Sequence, residues 1–353
     1  MFATLGGSIP RPAVVPEAGS SGEDRPDGPD GLDGPEGPDA PDALDGLVRD
    51  AIVLQAGAGL EPVSDGGLRH EDVAAMMLRG LEGVVIRAGE AAVVNALPSW
   101  RGPITVDSWA FAAGCTDRAV KQSIVGPYTL ARAIKPGRRG RQAVTIALAE
   151  ALTLELRALA EAGCPLVQVE EDAATAIDDS PAERRLFAES QRRLLQGVDD
   201  LHTSLAIRGG NADRAGAATI LDAPYRSYLF DLCAGPDNWR LVVNVPGDRG
   251  VIVGAADART PQVDELEVLA FAIGYAASTG GRGHDRVGVA TSGDMAGLGH
   301  EAAAAKIRRL GEVAAAYAGP PGSLAQAMDP RAIDIRSAAL GRHEPPRRDP
   351  TAR

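Results

Sequence analysis

Short apolar runs alternate with longer amphipathic stretches over most of the chain. Several short runs are continuously apolar, which is typical of parallel strands that helices cover on the outside. One long stretch begins with Ser180 and Pro181, a favourable N-cap and first-turn pair. The pattern predicts strands at 2–7, 60–65, 83–87, 104–107, 120–125, 166–171, 201–207, 227–232, 251–257 and 286–291. It predicts helices at 70–81, 139–162, 181–196, 213–223, 261–278 and 300–318.

This alternation of strands and helices predicts the fold class. Seven or eight strand–helix units in roughly 300 residues predict an α/β fold of the (β/α)8 TIM-barrel type. A doubly wound open sheet is the alternative, but no G-x-G-x-x-G sequence follows the first strand, which argues against a dinucleotide-binding site. We expect a single barrel over residues 1–330 and a polar tail over 331–353.

One acidic segment, residues 17–46, interrupts the pattern. It holds ten acidic residues and one arginine, and so accounts for nine of the twelve net negative charges of the chain. A segment rich in Pro, Gly and Asp without an apolar face predicts a disordered, self-repelling insertion. An acidic interaction segment is the alternative interpretation. In a barrel, the insertion would follow the first strand and lie on the face that carries the active site.

Composition excludes several functional classes. No segment is strongly basic, which argues against a nucleic-acid partner. No apolar run approaches the ~18–20 residues that span a bilayer, and residues 1–12 lack the pattern of a secretory signal. Cys115, Cys164 and Cys233 are widely spaced, which fits a reducing, cytoplasmic location better than a disulfide framework. A small-molecule substrate is therefore expected, and the sequence indicates no oligomeric state.

Candidate site residues are the polar residues at the predicted strand ends, because catalytic groups of a (β/α)8 barrel lie at the carboxyl ends of its strands. His202 and Ser204 share one face of a strand, as do Asp231 and Cys233. Glu170 and His202 could form a general acid–base pair or part of a metal site. The alternatives are a hydrogen-bonded core histidine and salt-bridged glutamates. The other candidates are Ser8, Asp65, Tyr128, Gln168, Glu171, Asp257, Arg259, Ser292 and Asp294.

Four short motifs occur in the order found in a known family. Residues 3–11 (ATLGGSIPR) resemble the family opening S-I-G-S-F-P-R, and residues 59–67 (GLEPVSDGG) resemble its D-G-E turn. Residues 125–130 (VGPYTL) are similar to G-P-Y-T-L-A, and residues 162–171 (AGCPLVQVEE) to A-G-C-x-x-I-Q-I-D-E. The family is the catalytic half of cobalamin-independent methionine synthase, with its short archaeal and coenzyme-M-transferase relatives. This resemblance implies a TIM-type barrel like that of the methionine synthases and uroporphyrinogen decarboxylases.

The resemblance also implies a chemistry, in which zinc binds a thiol acceptor as thiolate and presents it to a methyl or alkyl donor. The implied ligands are an H-x-C pair, a later Glu and a last Cys. The H-x-C pair corresponds to His202 and Ser204, the Glu to Asp231, and the last Cys to Ser292. Hydroxyls are poor zinc ligands, so zinc binding is doubtful unless His202, Asp231 and Cys233 form a rebuilt site. A folate donor is implied by the resemblance alone.

Substrate-binding residues are implied in the same way. Ser8 matches the family residue, whereas the Glu of the D-G-E turn is Gly67 and the Asp of Q-I-D-E is Glu170. A proton-donating His of the long family members corresponds to Arg259. We therefore expect catalytic roles for His202, Asp231, Glu170 and Arg259, and substrate binding by Ser8, Asp65, Glu170, Glu171 and Tyr128.

Three functional hypotheses follow. The first is a diverged methyl- or alkyltransferase that acts on a small thiol. The second is a metal-free acid–base enzyme on the same barrel, such as a lyase or decarboxylase, in which Glu170, Glu171, His202, Asp231 and Arg259 act on another small molecule. The third is a non-catalytic protein that binds a ligand or partner. If the second hypothesis holds, replacing His202 or Glu170 by Ala should abolish turnover of the substrate, and full retention would reject it.

Overall fold

The computed structural model describes residues 1–11, 40–87 and 90–318, without the side chains of residues 40–42 and 318. The polar tail predicted at 331–353 and most of the predicted insertion lie outside these residues. The first helix begins at Ala40, so the last seven residues of the segment 17–46 are helical. The prediction of a single barrel over 1–330 stays a prediction, since parts of that range are not described.

Nine strands are present in the described residues, and seven of them form one parallel sheet in the order β1-β9-β8-β7-β6-β5-β4. Consecutive strand numbers are neighbours from β4 to β9, as expected for a sheet built from successive right-handed β-α-β units. The strands are β1 (Phe2–Thr4), β2 (Leu81–Val85), β3 (Val93–Trp100), β4 (Lys121–Val125), β5 (Leu166–Glu170), β6 (His202–Ile207), β7 (Ser227–Asp231), β8 (Gly250–Ala256) and β9 (Val287–Thr291).

An extended segment around Val63 joins the two edges of this sheet. The backbone N–H of Glu61 donates to the carbonyl of Ala3 in β1 (2.9 Å), and the N–H of Lys121 in β4 donates to the carbonyl of Val63 (2.9 Å). The segment thus occupies the eighth position of a ring of parallel strands. This position is the one predicted as a strand at 60–65, and the predicted TIM-type architecture is confirmed.

Helices lie outside the sheet, because each carries an apolar face that the strands cover. The N-terminus predicted for one of them is confirmed, since the Ser180 hydroxyl accepts from the N–H of Glu183 ahead of Pro181. None of the described helices is long and apolar enough to cross a membrane. The helices are α1 (Ala40–Gly57), α2 (Val73–Arg79), α3 (Val106–Ala113), α4 (Pro127–Ala133), α5 (Arg141–Glu161), α6 (Pro181–Leu194), α7 (Ala217–Ile220), α8 (Trp239–Asn244), α9 (Leu266–Ser278) and α10 (His300–Ala318).

The region between the second and third barrel positions differs from the prediction. Strands β2 and β3 form an antiparallel hairpin outside the barrel, and the predicted strand 104–107 is instead the start of α3. The cause is the buried carboxylate of Glu155 in α5. It accepts hydrogen bonds from Trp100 Nε1 (2.9 Å), from the N–H of Ile104 (2.9 Å) and from Thr105 N (2.7 Å). These bonds tie the end of β3 and the start of α3 to α5.

A second difference lies at the predicted helix 213–223. The chain forms a 3₁₀ turn at Asp213–Ala215 and then the short helix α7. Gly216 separates the two with φ of 86°, a left-handed conformation that interrupts a helix.

The barrel interior is apolar on one side and polar on the other. Ala206, Leu229, Ile252 and Ala290 form an apolar cluster with Phe2 on the side of β6 to β9. On the side of β4 to β6, the buried interior residues are Lys121, Gln168 and Ser204. Buried polar groups need hydrogen-bond partners, and the partners of Lys121 and Gln168 lie toward the carboxyl ends of the strands. The polar side of the interior therefore leads into the candidate site.

Candidate active site at the carboxyl ends of the strands

A cleft of about 510 Å³ opens at the carboxyl ends of the strands. Its charged and polar walls come from the loop after β1, the turn after Val63, the interior of β4 and the ends of β5, β6 and β9. Ligand sites of (β/α)8 barrels lie at this face. The lining residues used below are Ser8, Asp65, His70, Lys121, Glu170, Arg208 and Asp294.

Arg208 is the centre of the cleft's ion pairs. It follows β6 directly, and its Nη2 lies 2.7 Å from Glu170 Oε2 and 2.8 Å from Asp172 Oδ2. Its Nη1 lies 3.0 Å from the carbonyl oxygen of Gly6 and 3.3 Å from Asp294 Oδ1. Burial disfavours the charge of this guanidinium, but the three carboxylates outweigh burial and raise its pKa. Arg208 is therefore a fixed cation that holds three acidic side chains, two from the end of β5 and the turn after it and one from the loop after β9.

A second chain of contacts leads from Glu170 to Lys121. Gln168 Nε2 donates to Glu170 Oε1 (2.9 Å), and Lys121 Nζ donates to Gln168 Oε1 (2.7 Å) and to the carbonyl of Leu5. Burial lowers the pKa of Lys121 to about 7, and Glu170 opposes this shift. Burial also raises the pKa of Glu170, and Arg208 opposes that shift. The cleft thus holds an amine with a pKa near 7 and a carboxyl group with a pKa above its ordinary value.

The pKa of Lys121 makes the stability of the protein depend on pH. The unfolded chain holds the Lys121 proton up to about pH 10.5, whereas the folded chain releases it at about pH 7. Stability should therefore rise between pH 7 and pH 10.5, where the unfolded state binds more protons. Between pH 7 and 9.5, we expect the free energy of unfolding of the wild type to rise by about 3 kcal/mol more than that of Lys121→Met. Urea unfolding of both proteins at the two pH values measures this difference, and equal gains would contradict it.

Ser8 and Asp294 close the cleft on the side of β1 and β9. Asp294 Oδ1 accepts from the N–H of Ser8 (2.8 Å) and from Ser8 Oγ (3.1 Å). A side chain at Gly7 would place its Cβ 2.4 Å from the same oxygen, so only glycine permits this approach. Asp65 caps the turn across the cleft by accepting from the N–H of Gly67 (2.9 Å). Both predicted residues, Ser8 and Asp65, thus line the cleft.

His70 lines the cleft beyond Asp65. The ring is half-buried, and burial lowers its pKa. Asp65 opposes this shift, whereas Arg69 adds to it. His70 is therefore mostly a neutral imidazole at pH 7, which can accept or donate a hydrogen bond.

Asp231, Arg259 and Ser292 line a neighbouring cavity of about 390 Å³, to which Arg208 and Asp294 also contribute. Asp231 ends β7, and its Oδ2 accepts from the N–H of Gly209 (2.9 Å). Ser292 Oγ accepts from the N–H of Ala258 (3.0 Å). Arg259 is exposed and pairs with Asp257 (2.9 Å). These three predicted residues thus share the carboxyl face with Glu170.

His202 lies at the opposite end of the barrel, which corrects its predicted pairing with Glu170. It is the first residue of β6 and is in register with Leu166, whereas Glu170 is in register with Ala206. Four residues of strand separate the two levels by about 13 Å. His202 Nε2 is 2.9 Å from Ser227 Oγ, and the ring lines a separate cavity of about 900 Å³ at the amino-terminal end. The structure gives His202 no contact with the cleft.

Glu171 and Tyr128 are buried and form hydrogen bonds to other residues of the fold. This corrects the prediction that they bind substrate. Glu171 is fully buried and accepts from Tyr128 N (3.0 Å) and Thr129 N (2.7 Å) at the start of α4 and from Gln191 Nε2 (2.6 Å) in α6. The Tyr128 hydroxyl donates to Glu183 (2.7 Å), and its ring packs edge-on against Phe187. Adjacent residues of a strand face opposite sides, so Glu170 points into the barrel and Glu171 points outward.

The residues present do not fit a thiolate–zinc site. Zinc ligands must converge within about 2.0–2.3 Å of the ion. His202 and Asp231 differ in level by about six residues, or roughly 20 Å of strand. In the metal-free protein, burial and the nearby Asp231 raise the pKa of the Cys233 thiol to about 12. No group of three His, Cys, Asp or Glu residues that could hold a metal ion occurs within residues 1–11, 40–87 and 90–318.

The residues at the carboxyl end of β6 and directly after it do not fit a zinc site either. Arg208 is level with Asp231, because Ile207 pairs with Phe230. An H-x-C pair at the level of Asp231 would have its histidine at position 206 and its cysteine at position 208. This chain has Ala206 and Arg208 there. Neither residue binds zinc, and Arg208 brings a positive charge to the position.

Lys121 and Arg208 are the functional candidates that the sequence interpretation missed. Lys121 is the second residue of the predicted strand 120–125, and Arg208 directly follows the predicted strand 201–207. A charged residue next to a buried run is a signal worth testing, since a buried charge needs partners. Those partners, Gln168 and the carboxylates around Arg208, come from other strands.

Comparison with known proteins gives a consistent result. The family model of the catalytic domain of cobalamin-independent synthase matches residues 43–196. The methionine synthase of Methanothermobacter marburgensis is 25% identical over 285 residues, which cover 76% of this chain and 88% of that protein. The methionine synthase of Methanothermobacter thermautotrophicus is 26% identical over 240 residues, which cover 63% of this chain and 74% of that protein.

Solved structures share the fold. A B12-independent methionine synthase from Shewanella sp. W3-18-1, in complex with selenomethionine, superposes with a TM-score of 0.72 at 19% identity, over 96% of this chain and 98% of that chain. A putative vitamin-B12-independent methionine synthase from Listeria monocytogenes gives a TM-score of 0.66 at 16% identity, over 80% and 89%. The chain is therefore a homologue of the catalytic domain of cobalamin-independent methionine synthase, as the order of its sequence motifs predicts.

Proposed function

We propose that the protein transfers a methyl or alkyl group to the sulfur of a small amino-acid thiol bound in the cleft of Glu170 and Arg208. Two curated relatives are named methionine synthases, and the Shewanella structure is a complex with selenomethionine, an amino acid of this size. The donor and the exact acceptor stay predictions. Folate is the donor that the family resemblance implies.

The observation that carries this proposal is the set of oxygen acceptors at one end of the cleft. Glu170 and Asp294 are held in place by Arg208, and Ser8 is bonded to Asp294. An α-ammonium group requires several oxygen acceptors, and carboxylates bind it most strongly. Ser8 and Glu170 are also the residues at substrate-binding positions of the resembled family. The arrangement therefore suits the amino group of an amino-acid acceptor.

Lys121 supplies the proton chemistry in this proposal. The acceptor's S–H proton moves to the Lys121 amine, and the sulfur then forms a bond to the alkyl carbon. The bond between this carbon and the donor breaks, and its electron pair stays with the donor. A neutral Lys121 can take the proton because burial lowers its pKa to about 7. No step is assigned to a metal ion, since the residues do not fit one.

A transfer assay tests the proposal. The full chain is incubated with L-homocysteine and a panel of methyl-labelled donors that includes 5-methyltetrahydrofolate, and the thioether product is separated and counted. We expect label in methionine, and less of it with Lys121→Met. Absence of transfer from every donor, together with absence of acceptor binding, would reject the proposal.

A metal-free lyase or decarboxylase is the second candidate. It is favoured by one observation, the link between Lys121 and Glu170 through Gln168, whose two ends have pKa values shifted toward neutrality. Such a pair can remove and return protons on a carbon substrate. Product analysis separates the two candidates, because a lyase changes its substrate without any donor present.

The cellular location stays a prediction. Cys115, Cys164 and Cys233 are free thiols in the structure, which is compatible with the reducing cytoplasm that we propose.

A further inference from the structure

We propose that Lys121 is a nucleophile whose amine forms an imine with a small aldehyde or ketone that carries hydroxyl or amino groups and binds in the cleft. This activity is separate from the transfer reaction proposed above, since it requires neither an alkyl donor nor a thiol. It rests on the place of Lys121 at the cleft, on the hydrogen bonds of its amine and on the charge of the cleft walls.

Lys121 lies at the inner wall of the cleft. It begins β4 and is only 3% exposed. It lines the cleft of about 510 Å³ together with Leu5, Gln168 and Glu170. A cavity of this volume admits a small molecule and excludes a macromolecule. The Lys121 amine is therefore shielded from bulk water and open to small reactants by way of the cleft.

The hydrogen bonds of Lys121 Nζ fit a neutral amine better than an ammonium ion. Nζ donates to Gln168 Oε1 (2.7 Å) and to the carbonyl oxygen of Leu5. These are its two acceptors in the described part of the chain, and neither is a carboxylate. An ammonium ion has three N–H donors, so one of them would stay unpaired in a buried site, which costs free energy. A neutral amine uses both of its N–H groups here and keeps its lone pair free.

The protonation of Lys121 agrees with this count of hydrogen bonds. Burial lowers the pKa of Lys121 to about 7, and the negative charge of Glu170 opposes this shift. Such an amine is partly unprotonated at neutral pH, whereas an ordinary lysine is almost entirely an ammonium ion. Desolvation of a lysine is one of the ways in which proteins activate an amine for attack on a carbonyl group.

The walls of the cleft favour one class of carbonyl compound. Five carboxylates and two arginines line the cleft, so negative charge is in excess when Lys121 is neutral. Ser8, Glu170 and Asp294 are among the lining residues and carry oxygen acceptors. Hydroxyl and amino groups can donate to these acceptors, whereas the carboxylate of a keto acid would be repelled. We therefore expect neutral or cationic carbonyl compounds to react and keto acids to react less.

The reaction needs no further co-reactant. The Nζ lone pair forms a bond to the carbonyl carbon, and the π electron pair moves to the carbonyl oxygen. Both protons of the amine pass to this oxygen, and the C–O bond breaks with its electron pair on oxygen. One molecule of water leaves, and a neutral imine joins Nζ to the substrate carbon. Nothing is oxidised or reduced in this step.

Reductive trapping tests the proposal, because the chain has three lysines, Lys121, Lys135 and Lys306. The full chain is incubated at about pH 7.5 with glycolaldehyde and sodium cyanoborohydride, which reduces an imine to a stable secondary amine. Peptide mass spectrometry then gives the labelling rate at each lysine. We expect Lys121 to be labelled at least about 10-fold faster than the exposed Lys135. Lys306 is buried and paired with Asp264 (3.0 Å), so it should stay unlabelled.

Glyoxylate is the matched probe for the substrate class. It is also a two-carbon aldehyde, but it carries a carboxylate in place of the hydroxymethyl group of glycolaldehyde. Its rate at Lys121 divided by its rate at Lys135 corrects for its own reactivity. This ratio should be at least about fivefold lower than the ratio for glycolaldehyde, because the cleft carries excess negative charge.

Two variants control for the position of the label. Lys121→Met should lose the fast-labelled position and keep the labelling rate of Lys135, whereas Lys135→Arg should keep that of Lys121. Labelling of Lys121 no faster than that of Lys135 in the folded wild type would overturn the proposal. A ratio for glyoxylate equal to or above that for glycolaldehyde would overturn the substrate class. Neither result bears on the transfer reaction, because these samples contain no alkyl donor and no thiol.

Discussion

Glu170→Gln is expected to lower turnover at least about 100-fold while leaving the protein folded. Glu170 is the residue at which the two contact chains of the cleft meet. One carboxylate oxygen accepts from Arg208 Nη2 (2.7 Å) and the other from Gln168 Nε2 (2.9 Å). An amide offers one oxygen and two N–H donors, so it must turn an N–H toward Arg208 or toward Gln168. The variant therefore loses the acceptor for the substrate and the alignment of the Lys121 chain together.

Asp172→Asn is the matched control for this experiment. It removes the same charge from Arg208, but its side chain is 38% exposed and makes no contact with Gln168. We expect its turnover to fall by about tenfold or less. Rates are measured with the donor and acceptor that support transfer in the wild type. Full activity of Glu170→Gln, or an equal loss in both variants, would contradict the role given to Glu170.

Glu171→Ala is expected to cause the largest loss of stability, on the order of 3 kcal/mol or more in the free energy of unfolding. The Glu171 carboxylate is fully buried and accepts from two backbone N–H groups at the start of α4. It also accepts from Thr129 Oγ1 (2.6 Å) and Gln191 Nε2 (2.6 Å). Alanine leaves these four donors without their acceptor in a site that water cannot easily enter.

Thr129→Val controls for the loss of a single bond. It removes only the hydroxyl donor to Glu171, and we expect a cost of about 1 kcal/mol. Chemical unfolding measures both variants at one pH. A loss below about 1 kcal/mol for Glu171→Ala would mean that Glu171 does not hold α4, and its predicted substrate role would then regain support.

The barrel could be predicted because its signal is local. Most of the parallel strands are short, largely apolar runs, and a helix such as α6 has a local start signal at Ser180 and Pro181. The hairpin of β2 and β3 could not be predicted in this way. Its place depends on Glu155, about 50 residues further along the chain, which binds Trp100, Ile104 and Thr105.

The candidate site, too, could be predicted only in part from local sequence signals. Strand alternation gives the face of a residue but not its level along the barrel, because residues 202, 204, 206 and 208 all share one face. The prediction therefore places His202 on the correct face and at the wrong end of the barrel. It places Ser8, Asp65 and Glu170 correctly at the carboxyl face, because they directly follow or end their runs.

Lys121 and Arg208 illustrate what only tertiary structure supplies. Lys121 begins its strand, yet its side chain reaches Gln168 of the next strand. The meaning of Arg208 depends on carboxylates that lie 36, 38 and 86 residues away in sequence. The pattern of residue types along the chain does not predict pairs that are so far apart in sequence. The charge balance of the cleft therefore becomes visible only in the folded structure.

Calorimetric titration of the full chain with L-homocysteine and with L-methionine, with and without a chelator, tests most directly whether the cleft binds an amino-acid thiol without a metal ion. We expect one binding site in the wild type, an affinity that the chelator leaves unchanged, and binding at least about 30-fold weaker in Glu170→Gln. Absence of binding by the wild type, or binding that the chelator abolishes and zinc restores, would contradict this function.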